Sequence, residues 1–353
     1  MQVLAYTNCG LEGITALRLD TGSGEITCLG RLAAARNATF LAVHPGRRLL
    51  FAVDQFTNFQ GKRGGAVSSF AIAGKTGQLR YLNTVSSRGP EPCFISVDRG
   101  GRNVLVANYS GGNIAVLPIG ADGCLSPASD SVQHRGSSID PVRQSRPYAH
   151  SINASPDDRF VIAADLGLDE LLVYRFDSRT GSLLPNDPSS FKCKPGSGPR
   201  HLAFHPGGRF AYVIHELRSE VTALHWDSIG GSFTEIHAVS TIPRDFSGEN
   251  SPSEISVHPN GRFLYASNRG HDSIAVFEID STEGTLEAVQ HVPTKGQCPR
   301  SFALDPSGAY LLAANQGGNI AAFCVDALTG RLDTANHVFE MELPVCIRFA
   351  NAD

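Results

Sequence analysis

The 353-residue sequence sets 30 lysines and arginines against 34 aspartates and glutamates, a formal charge of −4. That balance offers no bulk attraction to nucleic acid or to an anionic membrane surface, and no basic stripe interleaved with aromatics is present. Its 36 glycines and 20 prolines are high for a helical protein, and no long run holds a helical period, so the chain reads as nearly all β.

Residues 3–8 open the sequence as a strand, without the basic start, apolar core and small-residue cleavage site of a secretion leader. From residue 40 a phrase recurs: a short strand, a Pro/Gly turn, and a second strand of aromatic and β-branched residues, at 40–54, 92–108, 147–165, 199–214, 252–268 and 299–315. The fullest copy begins at Gly198 and ends at Glu216. Its His205-Pro-Gly-Gly segment is a turn in which proline fixes φ and glycine supplies a positive φ, and the residues either side make a β-hairpin. The turn arginine falls at Arg47, Arg102, Arg159, Arg209 and Arg262, with Ala309 in its place in the last copy. The period is about fifty residues, a size that suits a propeller blade.

A third strand of alternating character follows each hairpin, at 65–72, 113–119, 170–176, 220–226, 273–279 and 319–325. A Gly-x-Leu phrase at Gly77, Gly181, Gly284 and Gly330 then opens a fourth. Four strands per repeat is the content of a propeller blade. Six repeats are complete, and the ends supply a seventh in two pieces: residues 343–349 match a first strand, while 3–8, 12–19 and 24–29 match a second, third and fourth. The expected fold is an all-β, seven-bladed β-propeller in one domain over 1–353, its last blade closed by N- and C-terminal strands so that no sheet edge stays open. Two longer connections, 126–146 and 243–253, are expected to be either lids or surface excursions.

The eight cysteines, Cys9, Cys28, Cys93, Cys124, Cys193, Cys298, Cys324 and Cys346, show no metal-ligand spacing and read as buried free thiols. With no stretch of about 18 apolar residues, the expectation is a cytoplasmic protein that spans no membrane.

In a propeller the first strands line the axis, and here the residues around each opening proline are polar: Glu91, His150, Arg200, His201, Glu254, Arg300 and Arg348. The ends of the second strands add Asp54, Asn108, Asp165, His215, Glu216, Asn268, Arg269, Asn315 and Gln316. These groups either pair with one another across a wet channel, or the arginines exceed their local acids and hold a small anion, for which the guanidinium fork is suited. Competing motifs fail. Gly196-Ser-Gly198 precedes a strand rather than a helix, no Gly-x-Ser-x-Gly elbow exists, and His201 with His205 cannot share a metal as two helical ligands would. His44, His205 and His258 occupy the same His-Pro turn and read as structural. No metal or other cofactor is expected.

The phrases Pro-Tyr-Ala-His-Ser at 147–151, Gly-Pro-Arg-His-Leu-Ala-Phe-His-Pro at 198–206, Ser-Glu-Ile-Ser-Val-His-Pro-Asn-Gly-Arg at 253–262 and Cys-Pro-Arg-Ser-Phe at 298–302 resemble the seven-bladed propeller lactonase family. That family includes bacterial 6-phosphogluconolactonases of the propeller type and the fungal carboxymuconate lactonizing enzyme. The resemblance covers essentially the whole chain. It implies a cofactor-free enzyme that opens or closes a lactone ring on an acidic substrate. Matched motif by motif, the histidine, two arginines and glutamate used by muconate-cycloisomerising members fall on His150, Arg200, Arg269 and Glu216.

The expectation is therefore a sugar-acid lactonase, with 6-phosphogluconolactone the first substrate. His150 or Glu216 serves as base, Arg200 and Arg269 support the oxyanion, and His201, Glu254, Arg300 and Asn268 bind substrate. The partner is a small anionic lactone, not nucleic acid or membrane, and the oligomeric state stays open. Two rival readings are a cycloisomerase acting on a dicarboxylate and a non-catalytic propeller that binds a partner on one face.

Overall fold

Each recurring phrase folds as its residues favour, as an antiparallel hairpin extended by two further strands. The computed structural model describes residues 2–8, 10, 12–333 and 337–350. Apart from one 3-10 turn at Gly74–Thr76, the regular structure among them is all strand. No helix among the described residues is long and apolar enough to cross a membrane. Seven sheets of four consecutively paired strands follow one another, at 41–86, 92–133, 149–192, 199–240, 251–293 and 299–340, with 347–349 joining 2–36 in the seventh. The fold is the seven-bladed β-propeller that the repeat implied. Val338–Glu340 adds a further strand beside Asn319–Val325 in the sixth sheet.

The chain groups into two compact units, one of 1–32, 202–225 and 234–353, the other of 33–201 and 226–233. In both, second strands are buried throughout, as in Leu49–Asp54, Asn103–Asn108, Phe160–Asp165, Phe210–His215 and Tyr310–Asn315. A strand covered on both faces reads as a continuous apolar run rather than an alternating one. In the first unit Tyr212, Leu264 and Phe277 share one core, Tyr265, Phe302, Leu311 and Phe323 a second, and Leu17, Leu312 and Ile347 a third. Each fully buried aromatic or leucine contributes about 1.5–3 kcal/mol relative to an exposed one.

Side chains tie one blade to the next at both ends of the hairpin. His44 accepts through Nδ1 from the backbone N–H groups of Gly46 and Arg47, and its Nε2–H donates to the Gly101 carbonyl at 2.9 Å. His205 and His258 repeat this with Gly261 and Gly308. Burial pushes the His44 pKa down, which suits a neutral ring that accepts on one nitrogen and donates on the other. At the opposite end of the hairpin, asparagine closes the second strand. Asn108, Asn268 and Asn315 donate through Nδ2 to the carbonyls of Ser87, Thr241 and Thr294, at 2.9, 2.7 and 2.9 Å.

Asp54 occupies the same repeat position. Its Oδ2 accepts from Ser68 Oγ at 2.6 Å. Burial raises its pKa from 3.8 to about 6, against the opposing pull of that bond. A carboxyl whose pKa is higher folded than unfolded contributes its full stability below pH 3.8 and loses it as pH rises through 6, about 3 kcal/mol in all. Asp54→Asn removes the titration and supplies the residue that other blades use. Its advantage over wild type should grow by about 2.4 kcal/mol between about pH 4 and pH 7. Urea midpoints that differ by the same amount at both pH values would refute this.

The seventh sheet closes as the split pattern required. Ile347–Phe349 pairs antiparallel with Gln2–Asn8, setting Tyr6 opposite Arg348. Asn8 Oδ1 accepts from the backbone of Val345 and Cys346, while its Nδ2 donates to Leu343 O at 3.1 Å.

Three expectations need correction. The connection 126–146 is not all loop, because Asp130–Gln133 is the fourth strand of its blade, paired with Asn113–Pro118. Residues 251–253 likewise belong to the strand Ser251–Val257 rather than to a connection. Of the cysteines, Cys93, Cys193 and Cys346 are buried, but Cys28 and Cys324 are exposed, on the fourth and third strands of their blades; all described cysteines are free thiols, and Cys9 lies outside the described residues.

Candidate functional site

Four of the hairpins share an irregularity that sets the chemistry. Pro92 pairs with Asn108 and Phe94 with Ala107, leaving Cys93 unpaired. Ala149 pairs with Asp165 and Ser151 with Ala164, leaving His150 out. Pro299 pairs with Asn315 and Ser301 with Ala314, leaving Arg300 out. In Ser251–Val257 the skip covers Ser253 and Glu254. A bulge of this kind inserts an extra residue and re-aims its side chain out of the strand alternation. In these four hairpins the bulged positions carry Cys93, His150, Arg300 and the pair Ser253 and Glu254.

In the unit of 33–201 and 226–233, buried His150 stands in a line of rings. Its centroid lies 5.3 Å from Tyr109 and 5.4 Å from His201, both edge to face. Its Nδ1 is 3.9 Å from the Cys93 thiol, whose Sγ also approaches the His150 carbonyl at 3.4 Å. Phe94 and Phe40 hold His201 edge to face at 4.9 and 5.6 Å. Nη1 of Arg200 reaches the His201 ring nitrogens at 3.1 and 3.3 Å, donating to whichever lacks hydrogen. Arg200 and His201 are both buried. Beyond His150, Tyr109 packs on Tyr148 at 4.8 Å, and Arg146 donates through Nε to the Tyr148 hydroxyl at 3.2 Å. That bond from Arg146 lowers the Tyr148 pKa. Asp165 accepts from Tyr148 N, Gly167 N and buried His134, while the Glu91 carboxylate takes the Ser110 hydroxyl.

In the other unit, Arg269 is held from several sides. Nη2 donates to Glu216 Oε2 at 2.9 Å and to Ser251 Oγ at 2.8 Å, and Nε donates to Ser251 O at 2.9 Å. Among the described residues nothing bonds its Nη1, so one arm of a fixed guanidinium stays available to a ligand. Glu254 pairs with Arg348 at 3.0 Å and accepts from Ser301 Oγ at 3.1 Å. Half-buried Arg300 has its carbonyl bonded by Ser253 Oγ at 2.5 Å.

Of the residues read from sequence, His150, Arg200 and His201 share one unit and Glu216 with Arg269 the other. Glu254 is committed to Arg348 and Ser301. Asn268 is fully buried, its amide donating to Thr241 O, a bond that joins one blade to the next, and to Ser273 Oγ, and accepting from Asn250 Nδ2. Sequence reading missed Tyr109, Tyr148 and Ser251. Tyr109 carried a usable signal, since it follows Asn108 as Glu216 follows His215 and Arg269 follows Asn268. No group of three or more His, Cys, Asp or Glu among the described residues is placed to hold a metal ion.

The family model described as a seven-bladed β-propeller lactonase matches residues 2–349. A protein of Bacillus subtilis named 6-phosphogluconolactonase is 38% identical over 345 residues, spanning 98% of this chain and 96% of its own. The crystal structure of a putative 6-phosphogluconolactonase from Bacteroides fragilis superposes with a TM-score of 0.91 at 34% identity, covering 99% of this chain and 98% of that one. The periplasmic gluconolactonase of Pseudomonas aeruginosa gives a TM-score of 0.93 at 30% identity, with both chains fully covered.

Proposed function

The chain belongs to the lactonase family of seven-bladed β-propellers, and from that premise we propose that it hydrolyses a sugar-acid lactone, 6-phosphogluconolactone first, with His150 as general base. The observation that carries this is the bulge at His150, which lifts a buried imidazole out of the strand ladder and sets it against Tyr109 and His201. His150 takes a proton from water as the water oxygen bonds to the lactone carbonyl carbon. The tetrahedral oxyanion then collapses, the bond from that carbon to the ring oxygen breaks, and the proton passes to the departing oxygen as a hydroxyl. The new carboxylic acid releases its own proton, so turnover is read as acidification.

Arg200 and the available arm of Arg269 suit the developing negative charge, a preorganised role of high electrostatic value. Glu216, bonded to Arg269, orients that guanidinium in preference to accepting a proton from water. Arg300 is assigned to the phosphate.

The test is proton release on gluconolactone, its 6-phosphate and other aldonolactones, and proton uptake on a carboxymuconate, whose cyclisation turns a carboxylate into a lactone and adds a proton to carbon. Fastest turnover of the phosphorylated lactone supports the reading, and turnover of the carboxymuconate alone replaces it with a cycloisomerase. Arg300→Met should raise KM for the 6-phosphate at least ~30-fold, from about 2 kcal/mol of lost binding, and leave the unphosphorylated lactone nearly unchanged. Equal losses on both would place Arg300 at the reacting ring.

A further inference from the structure

We propose that Tyr109 and Tyr148 form a two-ring platform that binds the C–H face of a cyclic sugar beside His150, so that ring closure of the substrate, as well as its charge, is recognised. This rests on the lactonase reading for the identity of the sugar, but the platform itself is argued from three separate observations.

The first is repeat position. The residue after the last one of each second strand, or the last residue itself in the fifth blade, is Gln55, Tyr109, Glu216, Arg269 and Gln316 in five blades, and Leu166 in a sixth. Leu166 is fully buried, whereas Gln55, Tyr109, Arg269 and Gln316 are all half-buried. Tyr109 thus holds the position that elsewhere carries the ion pair of Glu216 and Arg269. A large, half-buried ring stands where four other blades place a polar or charged side chain, Gln55, Glu216, Arg269 and Gln316.

The second is placement. Tyr109 meets His150 edge to face at 5.3 Å and Tyr148 at 4.8 Å with 33° between ring planes. Both tyrosines keep part of their surface exposed while His150 beneath is buried. The rings therefore border the approach to the proposed base.

The third is that Tyr148 is held rather than free to turn. The Arg146 guanidinium carbon sits 5.1 Å from its ring centroid, and Nε bonds its hydroxyl. The backbone carbonyl of Tyr148 accepts from Leu166 N at 3.0 Å, and Tyr109 N donates to Glu91 O at 2.9 Å. Aromatic side chains offer a large rigid face at little conformational cost. A pyranose lactone presents clustered C–H groups on one side, which suit the negative face of such rings. The open-chain acid produced by hydrolysis has no such rigid face, so the platform favours substrate over product.

Calorimetry with two probes tests this: 1,5-anhydroglucitol 6-phosphate, cyclic and lacking the carbonyl, and 6-phosphogluconate, open-chain. Wild type should bind the cyclic probe more tightly. Tyr109→Ala and Tyr148→Ala should each weaken it ~10-fold while changing the open-chain probe less than ~2-fold, and Tyr109→Phe and Tyr148→Phe should keep the preference. Should an alanine variant fold poorly, Tyr109→Leu and Tyr148→Leu keep the bulk without the ring and should lose the preference likewise. Equal weakening of both probes, a preference that survives loss of the ring, or no binding of the cyclic probe by wild type overturns the platform. Neither probe can be hydrolysed, so ring preference without turnover of any lactone would defeat the lactonase reading and leave the platform standing.

Discussion

Replacing His150 with glutamine should lower kcat ~100-fold or more while the protein keeps its fold and its affinity for the substrate, because a positioned base contributes at least that much. Glutamine retains a polar group of similar reach in the bulge between Ala149 and Ser151 but cannot take the proton. A purely structural His150 gives the reverse pattern. Its ring packs against Tyr109 and His201 and lies near the Cys93 thiol, so removing it would lower the melting temperature while turnover per folded molecule stayed near wild type. Glu216→Gln separates the second candidate base. Loss of the carboxylate leaves Arg269 with Ser251 and the Pro252 carbonyl as partners, which should raise KM through a misplaced guanidinium more than it lowers kcat. A kcat collapse in Glu216→Gln with near-normal turnover in His150→Gln would move the base to Glu216.

Deleting residues 342–353 should give a protein that aggregates or melts far below the full chain. The deletion removes Ile347–Phe349, the edge partner of Ala5–Thr7, and leaves unpaired the N–H and C=O groups on that side of the strand, whose other side stays paired with Glu12–Asp20. It also takes Ile347 from its core and leaves Glu254 without Arg348. Removing one partner of a largely buried ion pair alone is strongly destabilising, typically several kcal/mol, and here an open sheet edge is added to it, a template for intermolecular pairing. A truncated protein with the melting temperature of the full chain would show that closure at this blade contributes little.

The repeat and its closure were legible because their signals are local. Proline, glycine and the alternation of strands report on the few residues around them, so six hairpins and the split seventh blade could be placed from sequence. The strand Asp130–Gln133 was missed because it is polar and partly exposed along its length. Gly123-Cys124-Leu125 upstream carries the same Gly-x-Leu cue as the other blades and went unused. Bulges were out of reach, since register is a relation between two strands and neither sequence alone contains it. The surroundings of Asn268 were out of reach for the same reason: its partner Thr241 lies 27 residues away in the chain, and a polar residue at a strand end looks the same whether it faces a ligand or a neighbouring backbone. The exposed cysteines Cys28 and Cys324 follow from their place on strands with solvent on one side.

The pairing of Asn8 with Val345 and Cys346 has a consequence for biosynthesis. The contact spans 338 residues of chain, and at ribosomal rates of about 5–20 residues per second the N-terminal strands leave the exit tunnel tens of seconds before the segment that completes their sheet exists. For that interval the edge of Gln2–Asn8 is open while every later blade is being made. The strand Gln2–Asn8 therefore waits longer for its edge partner than the strands of the later blades wait for theirs, and is the segment most open to wrong pairing during synthesis.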